Sequence, residues 1–159
     1  MSSMRASAQA WESLLRAQSG LMRAFEADGD FAPLSPREYD VLLQLAEAGP
    51  DGLRLGDLAE QTLLPQPSMS RMIDRLTSRG LVRRAASPGD RRGVLVVLTP
   101  AGADLQARAA RRHLRSMHAY LGGTLTGDEL DTLTRLCERL RDGVTAVGAQ
   151  APHDERRSA

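Results

Sequence analysis

Two adjacent arginines follow a turn where a plain hairpin would carry neutral residues. Arg91 and Arg92 stand beside Asp90, directly after the turn-forming pair Pro88 and Gly89. A guanidinium group is permanently charged and binds phosphate oxygens in a planar, two-pronged geometry. On a thin projecting loop, two such groups can reach into a groove lined by phosphates, where negative potential concentrates. The residues at this turn therefore indicate binding to a nucleic acid.

A second set of hydroxyl and guanidinium side chains lies just upstream, in a run from Pro67 to Arg79 that Gly80 closes. Apolar residues recur through this run at helical spacing, which predicts a short amphipathic helix with one inward face. Proline suits the first turn of such a helix, and glycine suits the position after its end. The inward face is predicted to contain Met69, Met72, Ile73 and Leu76. The other face carries Ser68, Ser70, Arg71, Arg75 and Arg79.

The neighbouring elements must position these side chains. Val82–Ala86 and Val94–Leu98 have the β-branched and apolar composition of short strands, and Ser87–Asp90 supplies the turn between them. Upstream, Leu55–Thr62 predicts another short helix, which the turn Leu63–Gln66 joins to the amphipathic helix. This order of elements predicts a winged helix-turn-helix, in which the second helix enters the major groove of DNA. The predicted DNA contacts are Gln66, Ser68, Ser70, Arg71, Arg75, Asp90, Arg91 and Arg92.

The segments SMSRMIDRLTSRGLVRR and SPGDRRGVLVVLTPAG resemble the signature of the MarR family of bacterial transcriptional regulators, and the likeness covers most of the chain. It includes an Asp-x-Arg element at Asp90 and Arg92 and a Leu-Thr-x-x-Gly helix start at Leu98–Gly102. The resemblance implies that Arg92 enters the minor groove and that Asp90 orients a nearby arginine. The family often has a small hydroxyl residue where this chain has Pro67, so its base preference is not carried over.

Positive charge is concentrated on the predicted winged helix-turn-helix lobe, which we assign to residues 35–100. Residues 54–92 hold eight arginines and four acidic residues, whereas residues 1–53 hold four arginines and eight acidic residues. The whole chain has a formal net charge of only +1. This distribution supports a polyanionic partner for the lobe.

Length and composition predict one compact unit, a single domain over residues 1–159, in the cytoplasm. A chain of 159 residues with 42% hydrophobic residues can bury one core. The N-terminal sequence MSSMRASAQA lacks the apolar core of a signal peptide, and no window approaches the roughly 20 apolar residues of a membrane span. The single cysteine excludes an internal disulfide framework and agrees with a reducing compartment.

Outside the lobe the chain predicts helices, so the expected fold class is mainly α with a small β-wing. Capping boxes at Ser35–Glu38 and Thr126–Glu129 mark two helix starts, the first opening a helix to about Ala48. The other predicted helices are Ser7–Ala27, Pro100–Leu121 and one that extends from Thr126 through Val147.

Apolar residues of the terminal helices form narrow seams that need a partner. We interpret residues 7–34 and 101–147 as a dimerisation region, in agreement with the homodimer that the family resemblance implies. Packing within one subunit is the alternative. Residues 148–159 are expected to form a flexible tail.

Catalytic and metal-binding patterns do not occur in the sequence. His113 and His118 are five residues apart, about 140° around a helix, so they cannot chelate one ion. Cys137 lies on an apolar seam, where a buried thiol without a neighbouring cation is usually inert. A Gly-rich phosphate loop, a nucleophile elbow and paired carboxylates are all missing. We therefore expect no enzymatic activity, no metal and no cofactor.

Four arginines share one stripe of the predicted Pro100–Leu121 helix, at positions 108, 111, 112 and 115. Such a stripe is either a solvated surface with ion pairs or the border of a ligand cleft. Members of the family that the chain resembles bind small anionic or phenolic effectors. Trp11 and Met22 are then candidate pocket walls, with core packing as the alternative. The predicted effector contacts are Trp11, Met22, Arg111, Arg112 and Arg115.

The combined expectation is a homodimeric, ligand-responsive repressor that binds a pseudo-palindromic operator on double-stranded DNA. Activation in place of repression also fits the sequence. The alternative function is that of a winged-helix protein-interaction module without DNA affinity. An apolar wing would favour that module, whereas the arginines of this wing favour DNA.

Overall fold

The computed structural model describes residues 3–62, 66–87 and 90–150, and most of these residues are helical. The helices are α1 (Met4–Ala27), α2 (Pro36–Ala48), α3 (Leu55–Gln61), α4 (Gln66–Ser78), α5 (Pro100–Met117) and α6 (Gly127–Gln150). The strands are β1 (Leu53–Arg54), β2 (Val82–Ser87) and β3 (Asp90–Leu98). They form one antiparallel sheet in the order β1-β3-β2, so the predicted mainly α fold with a small wing is confirmed.

The chain divides into two compact units, Met1–Ser116 and Met117–Ala159. The first unit contains α1 to α4, the sheet and nearly all of α5, and the second contains α6. None of the described side chains of the second unit is buried. Residues 127–144 of α6 therefore add no fully buried side chain to the core.

The core of the first unit is shared by α2, α3, α4 and the sheet. All four residues predicted for the inward face of α4 are buried. Burial of a side chain of this size stabilises the fold by about 1.5–3 kcal/mol relative to exposure. The side chains with little or no exposure include Leu42, Leu45, Leu58, Met69, Ile73, Leu76 and Val96.

The wing is longer than the sequence predicts. The backbone pairing between β2 and β3 continues beyond the apolar residues, until Ser87 lies opposite Asp90. The register of the two strands shifts between Ala86 and Ser87. Residues 90–92 therefore have strand backbone in place of the predicted loop, because backbone pairing does not require apolar side chains. Of the predicted turn, residues 88–89 lie outside the described residues.

The helix-turn-helix boundaries differ from the prediction by one residue at each side of the turn. α3 ends at Gln61, and α4 begins at Gln66, which the sequence assigned to the turn. The other predicted turn residues, 63–65, lie outside the described residues. Gly80 follows the end of α4 as predicted, with a φ of 69° in the left-handed region that favours glycine.

Both predicted capping boxes are present. Ser35 Oγ accepts a hydrogen bond from the Glu38 amide at 3.2 Å, and Glu38 Oε2 accepts from the Ser35 amide at 2.8 Å. Thr126 and Glu129 exchange equivalent bonds at the start of α6. Hydrogen bonds from the backbone amide and the hydroxyl of Thr126 lower the pKa of the Glu129 carboxyl from its ordinary value. The starts of α2 and α6 are therefore specified locally.

The C-terminal helices depart from the predicted bounds. α5 ends at Met117, and a π-helical turn from His118 to Gly122 replaces the predicted α-helix up to Leu121. A Cβ at Gly122 would lie only 2.9 Å from His118 Nδ1, so a larger residue there would require the exposed His118 ring to move. α6 continues to Gln150, past the predicted start of the tail, and residues 151–159 lie outside the described residues.

The Leu-Thr-x-x-Gly element joins the end of the wing to the end of α4. Thr99 Oγ1 donates a hydrogen bond to the Gly80 carbonyl at 2.7 Å and accepts one from the Gly102 amide at 3.0 Å. A Cβ at Gly102 would overlap the carbonyl oxygen of Leu81. The element thus combines a helix cap with a backbone contact that only glycine allows.

We expect Gly102→Ala to lower the free energy of unfolding by about 1–3 kcal/mol, because the backbone at Leu81 must move to make room. Urea denaturation measures the change. Gly20→Ala is the matched control, since a Cβ at Gly20 in α1 meets no atom within 4 Å. It should leave stability unchanged or raise it by up to ~1 kcal/mol through helix propensity. Equal losses in the two variants would contradict the close contact at Gly102.

Candidate nucleic-acid interface

The outer face of α4 presents two arginines to solvent. Arg71 and Arg75 are both exposed and lie four residues apart on one face of the helix. Neither forms an ion pair within the described part of the chain. Ser68 and Ser70, also predicted contacts, are half-buried near the start of the helix. This face therefore offers two uncompensated guanidinium groups together with hydroxyl groups, which suits phosphate oxygens and base edges.

Arg79, at the end of the same helix, is used to hold α4 in place. Its Nη1 donates to Glu38 Oε1 at 3.0 Å, and its Nη2 approaches the Pro33 carbonyl at 3.5 Å. Glu38 is the residue whose other carboxylate oxygen caps α2. A single carboxylate thus links the first turn of α2 to the residue that follows α4, which helps fix the direction of α4.

A second ion pair connects α4 to the wing. The sequence alone did not predict it. Arg84 Nη2 on β2 donates to Asp74 Oδ1 on α4 at 2.7 Å. The available signal was that Asp74 is the single acidic residue between Glu60 and Asp90. Because the side chains are 39% and 65% exposed, the pair contributes little energy, but it connects α4 to the wing directly.

For the remaining predicted DNA contacts, the structure describes the backbone and not the side chains. The side chains of Gln66, Asp90, Arg91 and Arg92 lie outside the described residues. Their backbone is described, with Gln66 in α4 and the other three in β3. These four residues therefore stay predictions as DNA contacts.

The predicted effector residues have different environments. Arg112 donates from Nε to the Asp30 carbonyl at 3.2 Å and from Nη2 to the Ala32 carbonyl, so its guanidinium binds the protein's own backbone. Trp11 is 64% exposed, so it is not part of the buried core of the first unit. Arg111 and Arg115 are exposed, and Met22 is half-buried. An apolar hollow of about 260 Å³ in the same unit contains none of these residues and is lined by Leu45, Ala46, Gly49, Pro50, Leu98 and Ala103.

The remaining His, Cys, Asp and Glu side chains were candidates for a metal site. Within residues 3–62, 66–87 and 90–150, no group of three or more His, Cys, Asp or Glu could hold a metal ion. Cys137, expected to be a buried thiol, is exposed, because the apolar seam of α6 to which it belongs is itself exposed. Among the described helices, none has the length and apolar character that crossing a membrane requires.

The order α3, turn, α4 and wing, with the arginine face of α4 outward, defines a winged helix-turn-helix protein. A sequence profile of the MarR family matches residues 32–93. The multiple antibiotic resistance protein MarR of Salmonella typhimurium is 40% identical over 73 residues, which are 46% of this chain and 51% of that protein. The HTH-type transcriptional regulator Mb0904 of Mycobacterium bovis is 37% identical over 102 residues, 64% and 69% of the two chains. The chain therefore belongs to the MarR family, and it spans about half the length of the MarR proteins that it matches.

Solved structures agree with this assignment. AbsC, a MarR family transcriptional regulator from Streptomyces coelicolor, has a TM-score of 0.79 at 26% identity, over 92% of this chain and 99% of that one. The transcriptional repressor CouR, solved bound to a 23-mer DNA duplex, has a TM-score of 0.75 at 28% identity, over 89% and 98%. BpsR of Bordetella bronchiseptica, whose DNA binding is regulated by 6-hydroxynicotinic acid, has a TM-score of 0.73 at 27% identity, over 82% and 91%.

The contact between Asp74 and Arg84 predicts a measurable coupling between α4 and the wing. In a double-mutant cycle of Asp74→Asn and Arg84→Gln, we expect a coupling free energy of unfolding of about 0.2–1 kcal/mol that decreases at high salt. Arg83→Gln is the matched control, because consecutive strand residues point to opposite faces of the sheet. A cycle of Asp74→Asn with Arg83→Gln should show no coupling. Equal coupling in the two cycles would mean that Asp74 responds only to the overall positive charge of the wing and not to a direct contact with Arg84.

Proposed function

We propose that this protein is a sequence-specific DNA-binding transcriptional regulator that acts as a homodimer on a pseudo-palindromic operator. Its action is repression that a small ligand relieves. It works in the cytoplasm, where its DNA is, and catalyses no reaction. The proposal uses the exposed face of α4 as the major-groove surface and the wing as the minor-groove surface.

The observation that carries this proposal is a pair of arginines on α4 that have no ion-pair partner in the part of the chain that the structure describes. The other face of the same helix is buried, with Met69 and Ile73 fully enclosed, so the helix cannot turn these arginines inward. Arg79 and Arg84 each have a carboxylate partner, whereas Arg71 and Arg75 have none among the described residues. Charges left uncompensated on a fixed helix favour a phosphate-bearing partner over a neutral protein surface. The DNA-bound neighbour CouR is consistent with this partner.

The homodimer part of the proposal rests on exposed apolar side chains at both ends of the chain. On α1, Trp11 and Leu15 are 64% and 46% exposed. On α6, Leu133, Leu136 and Leu140 are 39%, 45% and 59% exposed. Apolar rows of this kind, repeated every three or four residues, are typical of helices that associate. A second copy of the chain supplies identical rows, as closed two-fold symmetry requires.

The ligand that relieves repression is proposed to be small, aromatic and anionic. Arg111 and Arg115 are exposed on α5 and remain the candidate ligand contacts, whereas Arg112 is engaged with the backbone. Regulation of BpsR by 6-hydroxynicotinic acid shows this type of ligand acting on a structural neighbour. A ligand of this kind can lower DNA affinity only if it binds one arrangement of the dimer more tightly than the other.

DNA binding through α4 is tested with two arginine variants. Footprinting on the DNA that flanks the protein's own gene locates the operator, and fluorescence anisotropy with that duplex measures affinity. Arg71→Gln and Arg75→Gln should each weaken binding by about 1–3 kcal/mol, and a phosphate contact would also reduce the salt slope by about one. Arg92→Ala on the wing should behave similarly.

The control variant is Arg23→Gln on α1, which removes the same charge from an exposed position away from α4. Its affinity should equal that of the unmodified protein. Unchanged affinity of both α4 variants would refute the assignment of the outer face. The absence of any protected site would favour the protein-interaction module instead.

The dimer is tested by placing polar residues in the row of exposed apolar side chains on α6, which we call the α6 seam. Leu133 and Leu140 are seven residues apart and share one face of the helix, so the double variant Leu133→Ser, Leu140→Ser should dissociate the dimer at micromolar concentration. Sedimentation velocity measures the change. Operator affinity should fall with it, because two linked half-site contacts bind far more tightly than one.

The matched control for the seam is the double variant Asp131→Ser, Glu138→Ser, on exposed positions outside the apolar row. It should sediment as the unmodified dimer does. A stable, DNA-competent monomer in the seam variant would contradict the role proposed for α6.

A further inference from the structure

A buried carboxylate lies in the connection between α1 and α2. Asp30 is only 2% exposed, and both of its carboxylate oxygens are occupied. Ser116 Oγ donates to Oδ1 at 2.7 Å, and His113 Nδ1 lies 2.9 Å from Oδ2. A carboxylate can only accept hydrogen bonds, so His113 carries its hydrogen on Nδ1. Two side chains of α5 therefore hold one residue of the connecting loop.

The same contact is reinforced through the backbone and through aromatic rings. Arg112, next to His113 on α5, donates to the carbonyl of Asp30 at 3.2 Å. The His113 ring has its centroid 4.6 Å from that of Phe25 on α1, 4.8 Å from that of Phe31 in the loop and 5.8 Å from that of Tyr39 on α2. Side chains from α1, the loop, α2 and α5 thus surround one imidazole.

A buried carboxylate restricts geometry more than apolar packing does. Apolar side chains can slide by a few tenths of an ångström with little change in buried area, but charge-assisted hydrogen bonds depend on distance and direction. Moving α5 relative to the loop would leave a buried charge without partners, which is strongly unfavourable. The Asp30 cluster, which comprises Asp30, Arg112, His113 and Ser116, therefore favours the present arrangement of these elements.

The cluster lies where α1 is attached to the winged-helix core. Phe25 is the one buried residue of α1 among those that the structure describes, whereas Trp11, Leu14 and Leu15 are exposed. α2, by contrast, contributes Val41, Leu42 and Leu45 to the core and shows no exposure at these positions. The angle of α1 to the core therefore depends on its last turn and on the loop that holds Asp30.

We propose that the Asp30 cluster is the joint that sets the separation of the two recognition helices, α4 and its copy, in the dimer. Asp30, His113 and Ser116 are positioning residues, and none of them contacts DNA. The inference rests on the proposed homodimer, in which α1 of each copy is part of the interface. Because an operator presents its major grooves about 34 Å apart, the joint would determine how well both helices dock at once.

Double electron–electron resonance on the full chain tests the joint without requiring the operator. A nitroxide on Thr77→Cys, at an exposed position of α4 and in a Cys137→Ser background, reports the distance between the two recognition helices. Asp30→Asn and Ser116→Ala should each broaden or shift the distance distribution beyond the spread between repeat preparations. Asp104→Asn is the matched control, because it makes the same chemical change at an exposed position of α5 and should leave the distribution unchanged.

Thermal unfolding of the same samples separates positioning from stability alone. A lower melting temperature with an unchanged distance distribution in both Asp30→Asn and Ser116→Ala would overturn the joint. If Asp30→Asn does not fold, Ser116→Ala decides, because it removes a single hydrogen bond and leaves His113 in place. A dipolar signal missing from the labelled reference protein would overturn the homodimer, and the joint with it. An intact reference signal with unchanged variants would overturn the joint alone.

Discussion

Burial of one face of α4 is the interaction on which the outward-facing chemistry of this protein depends. Met69, Ile73 and Leu76 have no exposed surface, and each contributes about 1.5–3 kcal/mol relative to exposure. An arginine cannot share such an environment without a partner, because removing an unpaired charge from water is costly. Arg71 and Arg75 are therefore held outward by the same burial that anchors the helix. The rest of the winged-helix unit serves to keep that helix in a fixed direction.

Polar contacts fix the orientation of α4, which apolar burial alone leaves undefined. Glu38 caps α2 with one oxygen and binds Arg79 with the other, and Arg84 binds Asp74 across the gap between wing and helix. The exposed pair of Arg84 and Asp74 contributes less than ~1 kcal/mol, so its importance lies in geometry and not in stability. Of the arginines on or beside α4, Arg79 and Arg84 are thus paired with carboxylates, whereas Arg71 and Arg75 have no such partner among the described residues.

The Asp30 cluster applies the same principle inside the protein, where the penalty for losing a partner is larger. Burial removes water from the Asp30 carboxylate, and His113 Nδ1 and Ser116 Oγ take the place of water as its hydrogen-bond partners. His113, which the sequence could only exclude as a metal ligand, proves to be enclosed by aromatic rings and paired with a carboxylate. Loss of either partner would leave the Asp30 carboxylate buried without a hydrogen bond, which disfavours other arrangements of these elements.

The sequence by itself determined the elements whose causes are local. The inward face of α4 follows from the spacing of Met69 and Ile73, and the capping box at Ser35 follows from residues three positions apart. The extension of the wing to Asp90, the exposure of Cys137 and the pairs of Asp74 and Asp30 were decided by the tertiary structure. Asp30 and His113 are 83 residues apart, and a single sequence contains no period or spacing that connects them. Local patterns record which face of an element is apolar, whereas long-range polar partners are chosen only when folded elements bring their side chains within hydrogen-bond distance.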